Sequence, residues 1–151
     1  MSAPAITAAP AAAAADRRLR VAAIVLAVIG IGVAGYLTYV HYRGIAPICA
    51  VGHGCEKVQS SEWSKLAGVP VALLALIGYV GILAALLVPG ENGRMAAALL
   101  ALVGAGFSAY LTYREIFTIH AICQWCVASA IILAALAVIT VTRLVRAGPE
   151  D

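Results

Sequence analysis

Apolar residues in this chain gather into four long blocks, Val21 to Val40, Val69 to Val88, Ala96 to Phe117 and Cys123 to Val141. Each block is close to the roughly 20 residues that a helix needs to cross about 30 Å of hydrocarbon. The pattern predicts an all-α, integral membrane four-helix bundle over residues 19–146, flanked by tails at 1–18 and 147–151. Residues 1–16 are mostly Ala, Pro and Ser with no periodicity, so the first tail is expected to be disordered. Between the first two blocks, Glu56-Lys57-Val58-Gln59-Ser60-Ser61-Glu62-Trp63-Ser64-Lys65 is too polar to span and carries one large aromatic. It reads as a short interfacial helix in the first outer loop, capping the bundle.

Composition agrees with the pattern: 64% of the residues are apolar and 11% charged, against about 45–50% and about 25% in soluble domains. The placement of the charges adds an orientation. Arg17, Arg18 and Arg20 precede the first span, Arg94 lies in the short second loop, and Arg143 and Arg146 end the fourth span, all on one side. The other side holds Arg43, Lys57, Lys65 and Arg114, partly offset by Glu56, Glu62 and Glu115. The positive-inside rule then puts both termini in the cytoplasm. The net charge of +3 is accounted for by this arrangement and argues for no nucleic-acid partner. The first apolar run continues to Tyr39 without a clear small-residue cleavage site, which favours an uncleaved span over a secretory signal.

A shift of 74 residues lays Gly-x-Gly-x-x-x-Tyr-Leu-Thr-Tyr at Gly30 to Tyr39 on the same pattern at Gly104 to Tyr113. It also lays Ile48-Cys49 on Ile122-Cys123, without a gap. The chain therefore reads as two copies of a helix pair, the first enlarged by a loop between Cys49 and Pro70. Spans one and three then run parallel, and Cys49, Cys55, Cys123 and Cys126 all emerge on the outer side. Tyr36, Tyr39, Tyr42, Tyr110, Tyr113, Trp63 and Trp125 form an aromatic belt there. Gly30, Gly32, Gly104 and Gly106, with Ala34 and Ser108, are expected to let neighbouring helices approach closely.

The four cysteines are the candidate chemistry. Cys123-Gln124-Trp125-Cys126 is a C-x-x-C at a helix start, where i, i+3 spacing puts both sulfurs on one face and the helix N-terminus favours a thiolate. Cys49 and Cys55 flank Ala50-Val51-Gly52-His53-Gly54, whose glycines give the freedom to pair, part and meet another sulfur. A mobile pair beside a fixed C-x-x-C can pass electrons by thiol–disulfide exchange. Two structural disulfides, or a zinc ion held by the four thiolates or by three of them with His53 or His120, are the competing readings. His53, His120 and His41, and the charges Arg114 and Glu115, read as solvated groups. No dinucleotide fingerprint or haem motif supplies an electron acceptor, so one must come from outside the chain. A lipid-soluble quinone entering from the bilayer suits a C-x-x-C at the membrane boundary.

Cys49, Cys55, Ser60-Ser61-Glu62-Trp63, Gly68-Val69-Pro70 and Cys123-Gln124-Trp125-Cys126 together resemble the bacterial homologues of vitamin K epoxide reductase, over roughly Leu19 to Arg146. The resemblance implies a four-helix bundle around a quinone, menaquinone or ubiquinone, with Cys126 nearest to it and Cys123 its partner. It implies that Cys49 and Cys55 shuttle reducing equivalents from a thioredoxin-like protein, and that Ser61 contacts the quinone. The setting implied is the bacterial inner membrane, as a multi-pass protein with its cysteines on the outer side. Many bacterial members carry a fused thioredoxin-like domain after the last span; this chain ends at Asp151, so a separate DsbA-like partner is expected. Animal members have a tyrosine four residues beyond the C-x-x-C where this chain has Ala130, which points to quinone rather than epoxide reduction. A disulfide-generating quinone reductase of the unrelated four-helix kind would do the same work, but here the C-x-x-C opens the fourth span. A scaffold with two stable bridges is the non-enzymatic alternative.

Overall fold

The computed structural model describes residues 2–44, 65–66, 69–119 and 124–147. Four helices carry almost all of them: α1 (Ser2–Arg43), α2 (Val71–Leu87), α3 (Gly90–Arg114) and α4 (Gln124–Ala147). They coincide with the four apolar blocks. A π-helical turn, Glu115–Ile119, continues α3. Two short strands, β1 (Lys65–Leu66) and β2 (Val69–Pro70), pair antiparallel just before α2, with Lys65 opposite Pro70.

The Ala-rich stretch expected to be a disordered tail is helical from Ser2 onward, continuous with the first span. Alanine has the highest helix propensity of all residues, and only Pro10, which lacks a donor N–H, weakens this stretch. At its far end, α1 stops at Gly44, whose φ of 68° suits glycine after a helix C-terminus. Residues 56–64 of the expected interfacial helix lie outside the described residues; Lys65, its last member, belongs to β1.

Three stretches are long and apolar enough to cross a membrane: Ala14–Arg43, Gly90–Thr118 and Gln124–Arg146. The fourth, Val71–Leu87, is apolar throughout but has 17 residues, or about 26 Å of helix at the usual rise. Apolar side chains cover the outside of the bundle. Leu99, Val103, Ile131, Val138 and Val145 are each more than 60% exposed, which water would penalise and hydrocarbon tails accept.

The helices run up, down, up, down. At one end, Asp16 of α1 meets Arg143 of α4 and Arg94 of α3, and Arg20 donates to the Leu86 carbonyl at the end of α2. At the other end, Tyr36 of α1 packs on Trp125 at the head of α4. Each helix packs on its two neighbours in a ring, α1 on α2, α2 on α3, α3 on α4 and α4 on α1. Helices α2 and α4 therefore face each other across the interior.

Small residues line the seams. Ala23, Ala27 and Ala34 of α1, Ala97 and Ala101 of α3 and Ala137 of α4 are buried, together with Ile82, Leu86, Leu133 and Leu136. In a lipid solvent, close approach of backbones supplies the packing that the hydrophobic effect supplies in water. The duplication is visible in this packing. Gly30 and Gly104, equivalent in the two copies, both face the following helix, α2 in the first copy and α4 in the second. The equivalent threonines make the same bond in each copy: Thr38 Oγ1 donates to the Ala34 carbonyl at 2.7 Å and Thr112 Oγ1 to the Ser108 carbonyl at 2.9 Å. Gly32 and Gly106 depart from expectation, because a Cβ built on either meets nothing within 4 Å. Two residues after an inward glycine, a helical position has turned by about 200°, so the second glycine of each Gly-x-Gly looks outward.

Candidate functional site: the head of the last helix

Cys126 lies in the first turn of α4, half-buried, at the end of the bundle opposite the Asp16 cluster. The i, i+3 relation puts Ser129 on the same helix face, one turn deeper. Ser129 is bound from across the bundle. The Tyr79 hydroxyl of α2 donates to the Ser129 carbonyl at 3.0 Å and lies 2.7 Å from its Oγ. A phenol has one proton, so with that proton on the carbonyl, Ser129 Oγ–H is the donor to Tyr79 Oη.

Tyr79 is 1% exposed, and its place depends on α1 as well. Its ring lies flat against the backbone at Gly30, where any Cβ would overlap ring carbons. The side chain thus leaves α2, crosses the face of α1 at a glycine, and ends on α4 directly beneath the turn that holds Cys126. Among the described residues, threonine hydroxyls in the bundle are satisfied locally: Thr140 Oγ1, buried, donates to the Leu136 carbonyl at 2.7 Å, and Thr38 and Thr112, part-buried, likewise donate one turn back on their own helices. Tyr79 joins separate helices instead.

Above this level the aromatic belt divides in two. Tyr39, Tyr42, Tyr110 and Tyr113 are exposed, as interface anchors would be. Tyr36 and Trp125 turn toward each other, with ring centroids 5.0 Å apart and planes tilted by 47°, and close the seam between α1 and α4 beside the cysteine turn. Arg114 is not simply solvated. Its guanidinium sits 5.2 Å above the Tyr110 ring, and its Nε donates to the Tyr110 hydroxyl at 3.2 Å. His41 packs edge-on against Tyr42.

Of the sequence-predicted site residues, the structure places Cys126 as described. Cys49, Cys55, Cys123 and Ser61, with His53 and His120, lie outside the described residues. Among the described residues no group of three or more His, Cys, Asp or Glu is gathered as for a metal ion. Sequence reading missed Tyr79 and Ser129. The signal for Tyr79 was a phenol in the middle of an otherwise apolar span, and for Ser129 a hydroxyl three residues after Cys126.

A bundle of apolar helices with a C-x-x-C at the start of its last span is of a class suited to thiol–disulfide exchange at a membrane surface. The particular family follows from comparison with known proteins. Residues 21–141 match the model of the vitamin K epoxide reductase family, and the chain belongs to that family.

Proposed function

We propose that the protein reoxidises a DsbA-like protein outside the cytoplasm and delivers the electrons to a membrane quinone, supporting disulfide formation. Membership of the family supports thiol–disulfide exchange in general. The observation that carries the reading further is the place of Cys126, half-buried in the first turn of the last helix and at the end of the bundle away from Arg20, Arg94 and Arg143. With those arginines on the cytoplasmic side, as the positive-inside rule prefers, the cysteine end faces outward, and both termini lie inside.

Each cycle transfers two electrons. The reduced partner attacks the Cys49–Cys55 disulfide, leaves as a disulfide itself, and both loop sulfurs become thiols. Exchange with the Cys123–Cys126 disulfide restores the loop pair and reduces the C-x-x-C. Closure of Cys123 and Cys126 to a disulfide then releases two electrons and two protons to the quinone, which leaves as the quinol. The residues near Cys126 suit such a substrate: Tyr36 and Trp125 offer aromatic surface, Tyr79 and Ser129 lie beneath, and Ser61 of the outer loop is assigned to a quinone oxygen.

Purified protein in detergent, supplied with a reduced DsbA-like donor, is expected to reduce quinone. Cys126→Ala should abolish turnover, while Cys49→Ala should lose the protein donor yet still accept electrons from a small dithiol. If quinone stays oxidised with every donor and both bridges persist, the protein is a disulfide-stapled scaffold instead.

A further inference from the structure

We infer that the arginine end of the bundle holds a site for one anionic phospholipid, whose phosphate is taken between Arg20 and Arg94 at the corner where α2 turns into α3. The site lies at the end opposite Cys126 and does not depend on the thiol chemistry.

The charges at this end do not balance. Arg17, Arg18, Arg20, Arg94, Arg143 and Arg146 share it with two carboxylates among the described residues, Asp16 and the exposed Glu91. Asp16 serves two arginines at once. Arg143 takes both of its oxygens, at 2.9 and 3.3 Å, whereas Arg94 Nη2 stands 3.7 Å off, beyond hydrogen-bond length. Arg94 Nε is enclosed and meets no acceptor among the described residues. An enclosed cationic donor without an acceptor is costly, and an anion removes that cost. Arg20 is held through Nε alone, by the Leu86 carbonyl at 2.8 Å, which leaves the rest of its guanidinium to bind elsewhere.

These two cations share a corner. Arg20 follows Asp16 by one turn on the same face of α1, and Asp16 is the group that Arg94 approaches. The acceptor of Arg20 lies at the end of α2, Arg94 lies in the opening turns of α3, and only Val88 and Pro89 separate those helices. Apolar side chains come right up to the same level. Val21 follows Arg20, Leu87 follows the carbonyl that Arg20 holds, Met95 follows Arg94 and Val145 precedes Arg146, and all four are exposed. Hydrocarbon therefore gives way to headgroups here. A phosphate carried on a lipid can meet the guanidiniums in bidentate fashion while its acyl chains lie on Leu87 and Met95. Inorganic phosphate would gain nothing from that apolar surface. The lipid is anionic overall, because a choline or ethanolamine headgroup would bring another cation to a cluster already rich in them. Basic clusters between spans on the cytoplasmic side attract such lipids in general; the enclosed Arg94 makes this one a site rather than a diffuse ring of charge.

The test uses the full chain in neutral detergent, titrated with dioleoyl phosphatidylglycerol or dioleoyl phosphatidylcholine, with bound lipids counted by native mass spectrometry. Wild type should hold one phosphatidylglycerol about tenfold more tightly than phosphatidylcholine. Arg94→Gln and Arg20→Gln should each cut that preference about fivefold, whereas Arg18→Gln, at an exposed position of α1, should change it less than about twofold. Excess inorganic phosphate should leave the lipid in place. A wild-type preference below about twofold, or a preference unchanged in both Arg94→Gln and Arg20→Gln, overturns the inference. Equal losses in Arg94→Gln and Arg18→Gln would show only a diffuse ring of charge and overturn it as well. Displacement of the lipid by inorganic phosphate would assign the corner to a soluble anion instead.

Discussion

The two halves of this molecule solve one packing problem twice. In each, a glycine in the upward helix clears space for a side chain of the helix that follows, and a threonine eight residues on bonds back to its own helix. The first half fills the space with Tyr79, whose ring lies so close that a methyl group at Gly30 would overlap it. The second fills it with Leu133, whose Cδ2 would stand 3.0 Å from a methyl group at Gly104. A rigid ring with a fixed hydrogen bond at its tip cannot yield, whereas the end of a leucine can turn to another rotamer. The glycine and the threonine are common to both halves, and the side chain that the following helix supplies is what differs.

That contrast is best challenged at the glycines themselves. Gly30→Ala should have the largest effect. The new methyl must push Tyr79 off α1 and break its bonds to Ser129, for a cost of about 3 kcal/mol, the upper part of the range for an overpacked core; a thermal unfolding midpoint equal to wild type would mean that the ring has somewhere else to go. Gly104→Ala should cost about 1 kcal/mol or less, because a rotamer change of Leu133 relieves the contact and alanine is the better helix former. Similar losses for the two variants would erase the proposed difference in stiffness. Gly106→Ala should be smallest, neutral or stabilising by up to about 0.5 kcal/mol, since a Cβ there meets nothing within 4 Å and helix propensity improves. A clear destabilisation would show that this face is covered by something outside the chain.

How far the sequence foretold this arrangement depends on the scale of the signal. The four helices were legible because each apolar block is as long as the bilayer is thick. So was the parallel course of the first and third spans, because Tyr-Leu-Thr-Tyr and the aligned cysteines survive in both copies. The role of Gly30 and Gly104 was legible, but that of Gly32 and Gly106 was not, since only helical phase separates a glycine in a seam from one facing lipid. The helix through Ser2 to Arg18 was hidden because the stretch has no periodicity, and only the helix propensity of its alanines speaks for it. Tyr79 was hidden for another reason. Its meaning lies in contacts with Gly30 and Ser129, one on each side in sequence and neither near it, and no local pattern joins the three. The position of Cys126 in the first turn of a helix was legible because an apolar block long enough to span begins there.

The bridge from Asp16 to Arg143 also bears on how the protein is made. Arg143 Nε donates to Asp16 Oδ1 at 2.9 Å and Nη2 to Oδ2 at 3.3 Å, across 127 residues of chain. Arg143 is 6% exposed, and Asp16 supplies its carboxylate partner. Arg94 precedes Arg143 in the chain by 49 residues, and in the folded protein its Nη2 lies 3.7 Å from Asp16 Oδ2. The closer, two-pronged grip on the carboxylate is that of Arg143, on the last helix. Because Arg143 and Cys126 lie on the same helix, the bridge at the charged end and the place of Cys126 at the opposite end both depend on the docking of α4.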